Sequence, residues 1–470
     1  MRTVNVLGMD YGASTGRGMV GKFNGNKLMI EEIHRFQNNP VTVLSNMYWD
    51  VLGLFNELKN SIIKTKIQSI SVSSVGIDTW AMDFGILDEQ GNLLGNPHTY
   101  RDKRTNDILV QANKIFDEYE VFLKTGIYPL HICTLYQLIA MKSFEQAFLE
   151  KGRTLLFMPN LLNYFLTGET SSESTLASTS LLYSPFNGDW VYEFLDNYQL
   201  PDILPAVKKP GGIIGNVSNV LMQETGIGKI PVISVAQHDT ASAIAAVPAK
   251  DKQKIAYISC GTWSVVGTAI EKPLVNRDVI MNRFNNEIGY DDEIMFVKNI
   301  TGLWVLQECV REWAIEGYKI DYRHMDECAG KSSFGSYIDI EDEVFASPGN
   351  MNKKVVEYCR KTSQTLPETK EEVYQCIVLS LAMKYRDIIY QTEKLTGKRY
   401  KKIHMVGGGS RNKALCRLTA AMTGMEVIAG PFEATVIGNI LAQLISLGEI
   451  RDMVQAVEII EKSFNMEAFV

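Results

Sequence analysis

Two segments of this chain, far apart in the sequence, share one pattern: an apolar strand, a short turn of small and hydroxyl residues, and a second strand. The first covers residues 3–23 and turns at 12–15, and the second covers residues 255–270 and turns at 260–263. Two such hairpins indicate two domains built on one plan, and each turn offers N–H groups and hydroxyls that suit a polyphosphate. The alternative is that each segment is a β-hairpin with ordinary turn chemistry.

The length of the chain also predicts two domains. A chain of 470 residues exceeds the roughly 250–300 residues that one hydrophobic core usually supports. A polar, lysine-rich stretch at 248–254 predicts a linker between the halves. We therefore expect an N-terminal domain at 1–245 and a C-terminal domain at 246–470.

Composition argues against several classes of protein. The net charge of −7, without a Lys/Arg-rich block, argues against a generic nucleic-acid binder. Cysteines without Cys-x-x-Cys spacing fit reduced thiols rather than a disulfide framework or a zinc site. No window approaches about 18 uninterrupted apolar residues and no export signal is visible, so neither a membrane span nor secretion is expected. We expect a cytoplasmic protein that is a monomer or a small homo-oligomer.

Strand and helix patterns alternate along both halves, which predicts an α/β fold with mixed sheets. The apolar run at 69–77 and the run Phe84–Leu87 are predicted strands of one sheet. Thr134 and Gln137 have the spacing of a capping box, which predicts a helix over residues 134–150.

The sequence contains no Walker loop, so a nucleotide would be bound by other elements. Asp10 ends the first predicted strand and faces the first turn, where a carboxylate suits the hydration shell of Mg²⁺. Its alternative role is to bond amides of that turn. Gly407, Gly408 and Gly409 lie between a predicted strand and a predicted helix, where the backbone can approach an anionic ligand closely. The match of 12–16 to a nucleophile elbow is rejected, because a strand follows it rather than a helix.

His238, Asp239 and Thr240 lie between a predicted buried strand and a predicted helix. Asp239 is a candidate general base that takes a proton from a hydroxyl as its oxygen attacks phosphorus, a role that contributes about 10²–10⁴-fold. The equal alternative is an N-cap aspartate. His238 has no partner visible in the sequence and is expected to be structural.

In this order and spacing, the loops resemble those of the FGGY carbohydrate kinases, a family of the actin/hexokinase-like ATPase superfamily. The resemblance extends over nearly the whole chain. It rests on the segments GIDTWAMDF at 76–84, HDTASA at 238–243, CGTWS at 260–264, KNITGLW at 298–304, GGG at 407–409 and IAGPFEA at 428–434. The DTW, KNITGLW and AGPFEA segments resemble the branch that phosphorylates L-rhamnulose.

The resemblance implies two actin/hexokinase-like (ribonuclease H-like) domains around a central cleft for ATP and sugar. It implies that ATP and L-rhamnulose give L-rhamnulose 1-phosphate and ADP with Mg²⁺, with Asp239 as the proton acceptor and Asp10 as the candidate for the metal. The residues it implies for ATP binding are Ala13, Ser14, Thr15, Gly16, Arg17, Thr262, Gln307, Gly407, Gly408 and Gly409. The residues it implies for sugar binding are Asp78, Ala81, Asp83, His238, Thr240 and Asn299.

Two positions depart from the family's usual pattern. Ala81 stands where glycine is usual at a sugar contact, and its methyl group narrows the pocket. Cys260 stands where serine is commoner and is small enough to be tolerated. A kinase for another ketose, such as L-fuculose or L-xylulose, therefore stays open. An alternative of a different class is a non-catalytic protein that closes on ATP without transferring phosphate, although a carboxylate at position 239 favours the enzyme.

Overall fold

The computed structural model describes residues 3–331 and 333–470. The chain forms two compact units, neither of them continuous in sequence. Unit 1 contains the residues up to Ala246 together with Ala269–Phe296 and Thr435–Ser463, and unit 2 contains Val247–Thr268, Val297–Ala434 and Phe464–Val470. The chain therefore crosses between the units several times, and a division into 1–245 and 246–470 stays a prediction.

The chain up to residue 246 contains both strands and helices. The strands there are β1 (Val4–Tyr11), β2 (Thr15–Phe23), β3 (Leu28–Gln37), β4 (Val41–Val43), β5 (Asn46–Tyr48), β6 (Val75–Thr79), β7 (Phe84–Leu87), β8 (Thr154–Phe157), β9 (Ser172–Glu173), β10 (Tyr183–Ser184), β11 (Asp189–Trp190), β12 (Val207–Lys208), β13 (Ile213–Asn216) and β14 (Pro231–Ile233). The helices are α1 (Val51–Ile67), α2 (Ile108–Ala112), α3 (Glu118–Thr125), α4 (Thr134–Phe144), α5 (Gln146–Lys151), α6 (Met158–Thr167), α7 (Ser174–Ala177), α8 (Tyr192–Tyr198), α9 (Asn219–Thr225) and α10 (Asp239–Ala245), with a 3₁₀ helix at Lys103–Thr105.

The remainder of the chain also contains both strands and helices. Its strands are β15 (Ala256–Cys260), β16 (Trp263–Ile270), β17 (Asn285–Ile288), β18 (Ile294–Thr301), β19 (Lys402–Val406), β20 (Glu426–Ala429) and β21 (Glu467–Phe469). Its helices are α11 (Arg277–Met281), α12 (Trp304–Ile315), α13 (Tyr322–Lys331), α14 (Met351–Lys361), α15 (Lys370–Thr396), α16 (Lys413–Thr423), α17 (Ala434–Ser446) and α18 (Met453–Ser463), with 3₁₀ helices at Lys252–Lys254, Glu343–Phe345 and Gly408–Arg411. Among the helices of residues 3–331 and 333–470, none is both long and apolar enough to cross a membrane.

The six-stranded sheet of unit 1 contains the first predicted hairpin. Its strand order is β13-β14-β6-β1-β2-β3. β1 pairs antiparallel with β2 and parallel with β6, so the predicted mixed sheet is confirmed. Val6, Leu7 and Met9 of β1 are fully buried, as expected for a strand whose two faces are both covered. The register pairs Asp10 with Asp78 near the carboxyl ends of the parallel strands β1 and β6.

The seven-stranded sheet contains the second predicted hairpin. Its order is β17-β18-β16-β15-β19-β20-β21. β15 pairs antiparallel with β16 and parallel with β19, and β20 pairs parallel with β19 and antiparallel with β21. Both hairpins and the α/β class with mixed sheets are therefore confirmed.

The prediction that Phe84–Leu87 continues the large sheet is wrong. β7 pairs antiparallel with β8 in a separate two-stranded sheet. Between β6 and β7 the backbone passes through the left-handed region at Met82, with a φ of 79°. This turn separates the two strands in space.

The predicted capping box at Thr134 and Gln137 is also wrong, although a helix does begin there. The N-cap is Cys133, without a side-chain cap bond, and the helix breaks after Phe144 before α5 begins. The hydroxyl of Thr134 donates instead to the carbonyl of Met82 over 2.7 Å, and Gln137 Nε2 donates to Met82 O at 3.4 Å. Tertiary contacts with the turn after β6 take the side chains that the box would use.

Within unit 1, α17 packs closely against α10. A Cβ atom on Gly438 would lie 1.9 Å from the carbonyl oxygen of Ser242. No side chain fits at that distance, so glycine is required at this crossing. The contact fixes the helix that begins at Asp239.

Candidate active site

Asp10 is held by Arg17, its register partner on β2. Arg17 Nε and Nη2 donate to Asp10 Oδ2 over 3.0 and 2.8 Å, a charge-assisted pair of bonds. Asp10 is buried and Arg17 is half-buried. The carboxylate thus receives a guanidinium rather than the turn amides of the alternative interpretation.

Asp78 is a fully buried carboxylate with one oxygen left over. Its Oδ2 accepts a 2.6 Å bond from Asn439 Nδ2 on α17, and Gln443 Nε2 donates to Asn439 Oδ1 at 2.7 Å to hold that amide. Its Oδ1 is buried and has no hydrogen-bond partner in the part of the chain that the structure describes. Burial, with the charge of Asp10 beside it, raises the pKa of Asp78 well above its usual range. A buried acceptor without a donor is costly, so this oxygen is suited to a ligand or a cation.

Asp239 is the first residue of α10. The N-cap of that helix is His238, so the N-cap interpretation of Asp239 is wrong. The carboxylate oxygen Oδ1 accepts bonds from Thr240 N at 2.6 Å and Thr240 Oγ1 at 3.2 Å. Burial and then the charge of Asp10 raise the pKa of Asp239 to about 7. With 31% of its side chain exposed, the group remains within reach of a ligand, and a pKa near neutrality suits a general base.

His238 lies between two carboxylates. Its Nε2 is 3.5 Å from Asp239 Oδ1, and its Nδ1 is 3.6 Å from Glu287 Oε2 on β17. Burial lowers the pKa of His238 to about 4, so the ring is neutral near pH 7. Sequence reasoning saw no partner for His238 and missed Glu287. The available signal was the run of three polar residues Asn285, Asn286 and Glu287, which the structure buries within one strand.

Glu173 and Thr175 hold the backbone that leads to Asp239, and sequence reasoning missed both. Glu173 Oε2 accepts from Gln237 N at 3.1 Å and from Thr175 Oγ1 at 2.6 Å. Thr175 Oγ1 in turn accepts from His238 N at 3.2 Å. Burial raises the pKa of Glu173 to about 7. The available signal was a glutamate inside the Ser/Thr-rich stretch at 171–180.

Asp83, an implied sugar-binding residue, is almost fully buried and bonded on both oxygens. Trp49 Nε1 and Trp80 Nε1 donate to its Oδ2 over 2.6 and 2.9 Å, and Gln137 Nε2 donates to its Oδ1 over 3.0 Å. Asp83 thereby fixes the indole of Trp80, which is itself buried. Ala81, the next residue, is half-buried.

The first turn, with the implied ATP-binding residues 13–17, is tight and presents hydroxyls. Ser14 and Thr15 are exposed, and Asn38 N donates to Ser14 O at 3.0 Å. Packing requires glycine at position 16, because a Cβ there would lie 2.2 Å from the ring of Phe36. The turn therefore combines a rigid backbone with exposed hydroxyl groups.

In unit 2, the second turn brings two implied ATP-binding residues together. Thr262 Oγ1 donates to Gln307 Oε1 at 3.0 Å. Gly302 N and Trp304 N donate to Thr262 O at 3.0 and 3.3 Å, which fixes the turn. Asn299 is exposed on β18 and belongs to unit 2, whereas the other implied sugar contacts belong to unit 1.

The three glycines after β19 differ in their surroundings. A Cβ on Gly407 would lie 2.9 Å from Cys260 O, and one on Gly409 would lie 2.2 Å from Cys260 Sγ. A Cβ on Gly408 would meet nothing within 4 Å. Packing against the buried Cys260 thus explains Gly407 and Gly409, and only Gly408 presents open backbone.

The acidic residues fit a cation that brings ligands of its own. Within residues 3–331 and 333–470, no cluster of three or more His, Cys, Asp or Glu side chains is arranged to enclose a metal. Magnesium on a nucleotide needs only one or two carboxylates, because phosphate and water supply the other ligands. Asp10, paired in register with Asp78 and its orphaned Oδ1, is the candidate for that role.

Comparisons with known proteins show what the whole chain is similar to. The model of the FGGY family of carbohydrate kinases matches its N-terminal domain to residues 5–245 and its C-terminal domain to residues 256–447. The chain is 36% identical to a rhamnulokinase of Bacteroides thetaiotaomicron, over 99% of this chain and 95% of that protein, and 35% identical to one of Bacillus subtilis, over 98% and 94%. Among solved structures, it is similar to a ligand-bound xylulose kinase from Lactobacillus acidophilus (TM-score 0.80, 14% identity, 99% of this chain and 92% of that one). It is also similar to Plasmodium falciparum glycerol kinase with ADP (TM-score 0.79, 13% identity, 99% and 94%).

Proposed function

The chain belongs to the FGGY family of carbohydrate kinases, and from that premise we propose that it transfers the γ-phosphoryl group of ATP to L-rhamnulose. The products are L-rhamnulose 1-phosphate and ADP. The choice of sugar is supported by the relatives named rhamnulokinase, whose similarity extends over almost the entire chain. The observation that carries the reaction is Asp239, an accessible carboxylate whose pKa is raised to about 7.

In this proposal, Asp239 accepts the proton of the attacking sugar hydroxyl. As that oxygen bonds to the γ-phosphorus, the bond from phosphorus to the leaving oxygen of ADP breaks, and the proton remains on Asp239. Phosphoryl transfer depends mainly on positioning and on stabilising charge, and a base in this position contributes about 10²–10⁴-fold. Thr240, whose amide and hydroxyl bond Asp239 Oδ1, leaves Oδ2 to face the substrate.

The remaining residues are proposed to hold the substrates. Residues 13–17 in unit 1 and Thr262, Gln307 and the glycines at 407–409 in unit 2 would bind ATP. Asp78, Ala81, Asp83, His238, Thr240 and Asn299 would contact or shape the sugar site. Asp10 would hold the hydration shell of Mg²⁺, with the buried carboxyl of Asp78 beside it. When bound, that cation neutralises charge on the phosphates during transfer.

A coupled assay of ADP release from the purified protein tests this function. The panel contains L-rhamnulose, L-fuculose, L-xylulose and a reaction without sugar, and kcat/KM is compared across it. We expect the highest kcat/KM with L-rhamnulose and little ADP without sugar. A higher kcat/KM for another ketose would overturn the assignment of L-rhamnulose as the substrate. It would favour the alternative suggested by Ala81, a kinase for that other ketose. ADP formation that none of the sugars stimulates would overturn the assignment of the protein as a sugar kinase.

A further inference from the structure

Glu287, which the proposed mechanism does not use, lies on the far side of the His238 ring from Asp239. Its Oε2 is 3.6 Å from Nδ1, whereas Asp239 Oδ1 is 3.5 Å from Nε2. We propose that Glu287 is a positioning residue that keeps the proton of His238 on Nδ1, so that Nε2 offers a lone pair to a sugar hydroxyl. This inference rests on the proposed function.

The tautomer follows from competition for a single proton. A neutral imidazole has one N–H group, and an ionised carboxylate only accepts hydrogen bonds. His238 therefore can donate to Glu287 or to Asp239, but not to both. The Glu287 side chain is 4% exposed and that of Asp239 is 31% exposed. The more buried carboxylate has less water to solvate it and gains more from the donor, so the proton belongs on Nδ1.

The surroundings of both residues support that geometry. Asn285 Nδ2 donates to the other oxygen of Glu287, Oε1, at 3.3 Å, which turns Oε2 toward the ring. His238 Nδ1 is buried and has no hydrogen-bond partner in the described residues. The backbone of His238 is fixed through its N–H to Thr175 Oγ1 at 3.2 Å and its carbonyl to Ser242 N at 3.0 Å. Small side-chain rotations then suffice to close the 3.6 Å gap, as hydrogen bonds at active sites commonly do when substrate binds.

With Nδ1 protonated, the site presents two acceptors side by side. Asp239 accepts the proton of the attacking hydroxyl, and His238 Nε2 accepts a hydrogen bond from a neighbouring hydroxyl of the same sugar. The ligand class that fits is the cyclic form of a 2-ketose, in which the attacking C1 hydroxyl lies next to the C2 hydroxyl of the hemiketal. The sugar, rather than ATP, is therefore the substrate whose binding depends on Glu287.

Glu287 also affects Asp239 through its charge. The carboxyl groups that face Asp239 include Asp10 from β1, Asp78 from β6 and Glu287 from β17. Two further titratable groups, His238 and Tyr100, are neutral near pH 7, because burial lowers the pKa of His238 and raises that of Tyr100. Negative charge at position 287 favours the protonated form of Asp239 and so raises its pKa. A neutral residue there lowers the pKa of Asp239, which moves the acid limb of the rate profile to lower pH.

The test compares Glu287→Gln with the wild type in the full chain. Nitrogen-15 NMR of histidine-labelled protein reports the tautomer without reference to activity, and His238→Gln identifies the resonance by its loss. We expect Nδ1–H in the wild type and Nε2–H in Glu287→Gln, because the glutamine amide can donate to Nδ1. We also expect kcat/KM for the sugar to fall by about 10–100-fold, the range found when a carboxylate that orients a metal-binding histidine is removed, with KM for ATP within twofold. The acid limb of the rate profile should move to lower pH.

Glu271→Gln, which removes an exposed carboxylate from the same chain segment, is the matched control and should behave as the wild type does.

A second variant separates the charge of Glu287 from the length of its side chain. Glu287→Asp keeps the negative charge and should keep the acid limb at its wild-type position, even if its shorter reach lowers kcat/KM. Wild-type protein with the proton on Nε2, or Glu287→Gln with an unchanged tautomer and pH profile, would overturn the inference. Wild-type protein that forms no ADP with any ketose would instead overturn the proposed function, while the NMR spectra still decide the tautomer.

Discussion

Lowering the pH from 8 to 6 should slow phosphoryl transfer about tenfold, because it protonates Asp239. Burial and the charge of Asp10 raise the pKa of this carboxyl to about 7. The ionised form is the base, so activity is present above the pKa and is lost as the pH falls through it. A group with this pKa is roughly half ionised at pH 7 and roughly one-tenth ionised at pH 6, so kcat/KM for the sugar should fall about tenfold for each unit below 7. An aspartate with an ordinary pKa of about 4 would give a flat profile to pH 5.

The assay measures ADP release between pH 5.5 and 8.5 at saturating ATP and low sugar. The coupling enzymes are kept in excess at every pH, and ATP affinity is measured calorimetrically across the range to separate nucleotide binding from the chemical step. Return of full activity after exposure to pH 5.5 excludes unfolding. A profile that stays flat down to pH 5.5 would refute the assignment of the raised pKa to the catalytic base.

Two further pairs of variants probe the loops. Gly408→Ala should keep the thermal midpoint of the wild type, because the added Cβ would meet nothing within 4 Å in the protein. The same methyl group should weaken ATP binding, because it would cover the open backbone proposed to contact ATP. Gly409→Ala should lower that midpoint by about 2–10 °C in scanning fluorimetry, since a Cβ 2.2 Å from Cys260 Sγ overpacks the turn; equal midpoints for the two would contradict this packing argument. Thr175→Val should lower kcat about tenfold and speed amide exchange in residues 234–240, because it removes the hydroxyl between Glu173 and His238 N. Thr175→Ser should restore both, and a serine variant no better than the valine one would show that the hydroxyl is not what matters.

Local patterns in the sequence predicted much of the fold, because they depend on neighbours in the chain. Both hairpins turn where small and hydroxyl residues predict a turn, and Gly407 adopts the left-handed φ of 85° that glycine permits. The capping box at Thr134 failed for the opposite reason. Its hydroxyl bonds the carbonyl of Met82, from a segment that sequence spacing does not bring near.

The candidate site was predictable only in part, for the same physical reason. Asp10 and Asp239 stand at the ends of predicted elements, so their positions alone suggested chemistry. The pairing of Asp10 with Asp78 depends on strand register, and Glu287 reaches His238 from a strand nearly fifty positions later in the chain. Such contacts depend on the topology of the sheets, which a single sequence leaves open.

The central claim is that Asp239 is the base of a sugar kinase, and Asp239→Asn tests it most directly. ADP formation with L-rhamnulose is compared with the wild type, and ATP affinity is measured in parallel on the same preparations. The account predicts a rate about 10²–10⁴-fold lower with ATP affinity within a few-fold, because the amide keeps the shape of the side chain but cannot accept the proton. A variant that phosphorylates L-rhamnulose at the rate of the wild type would contradict it.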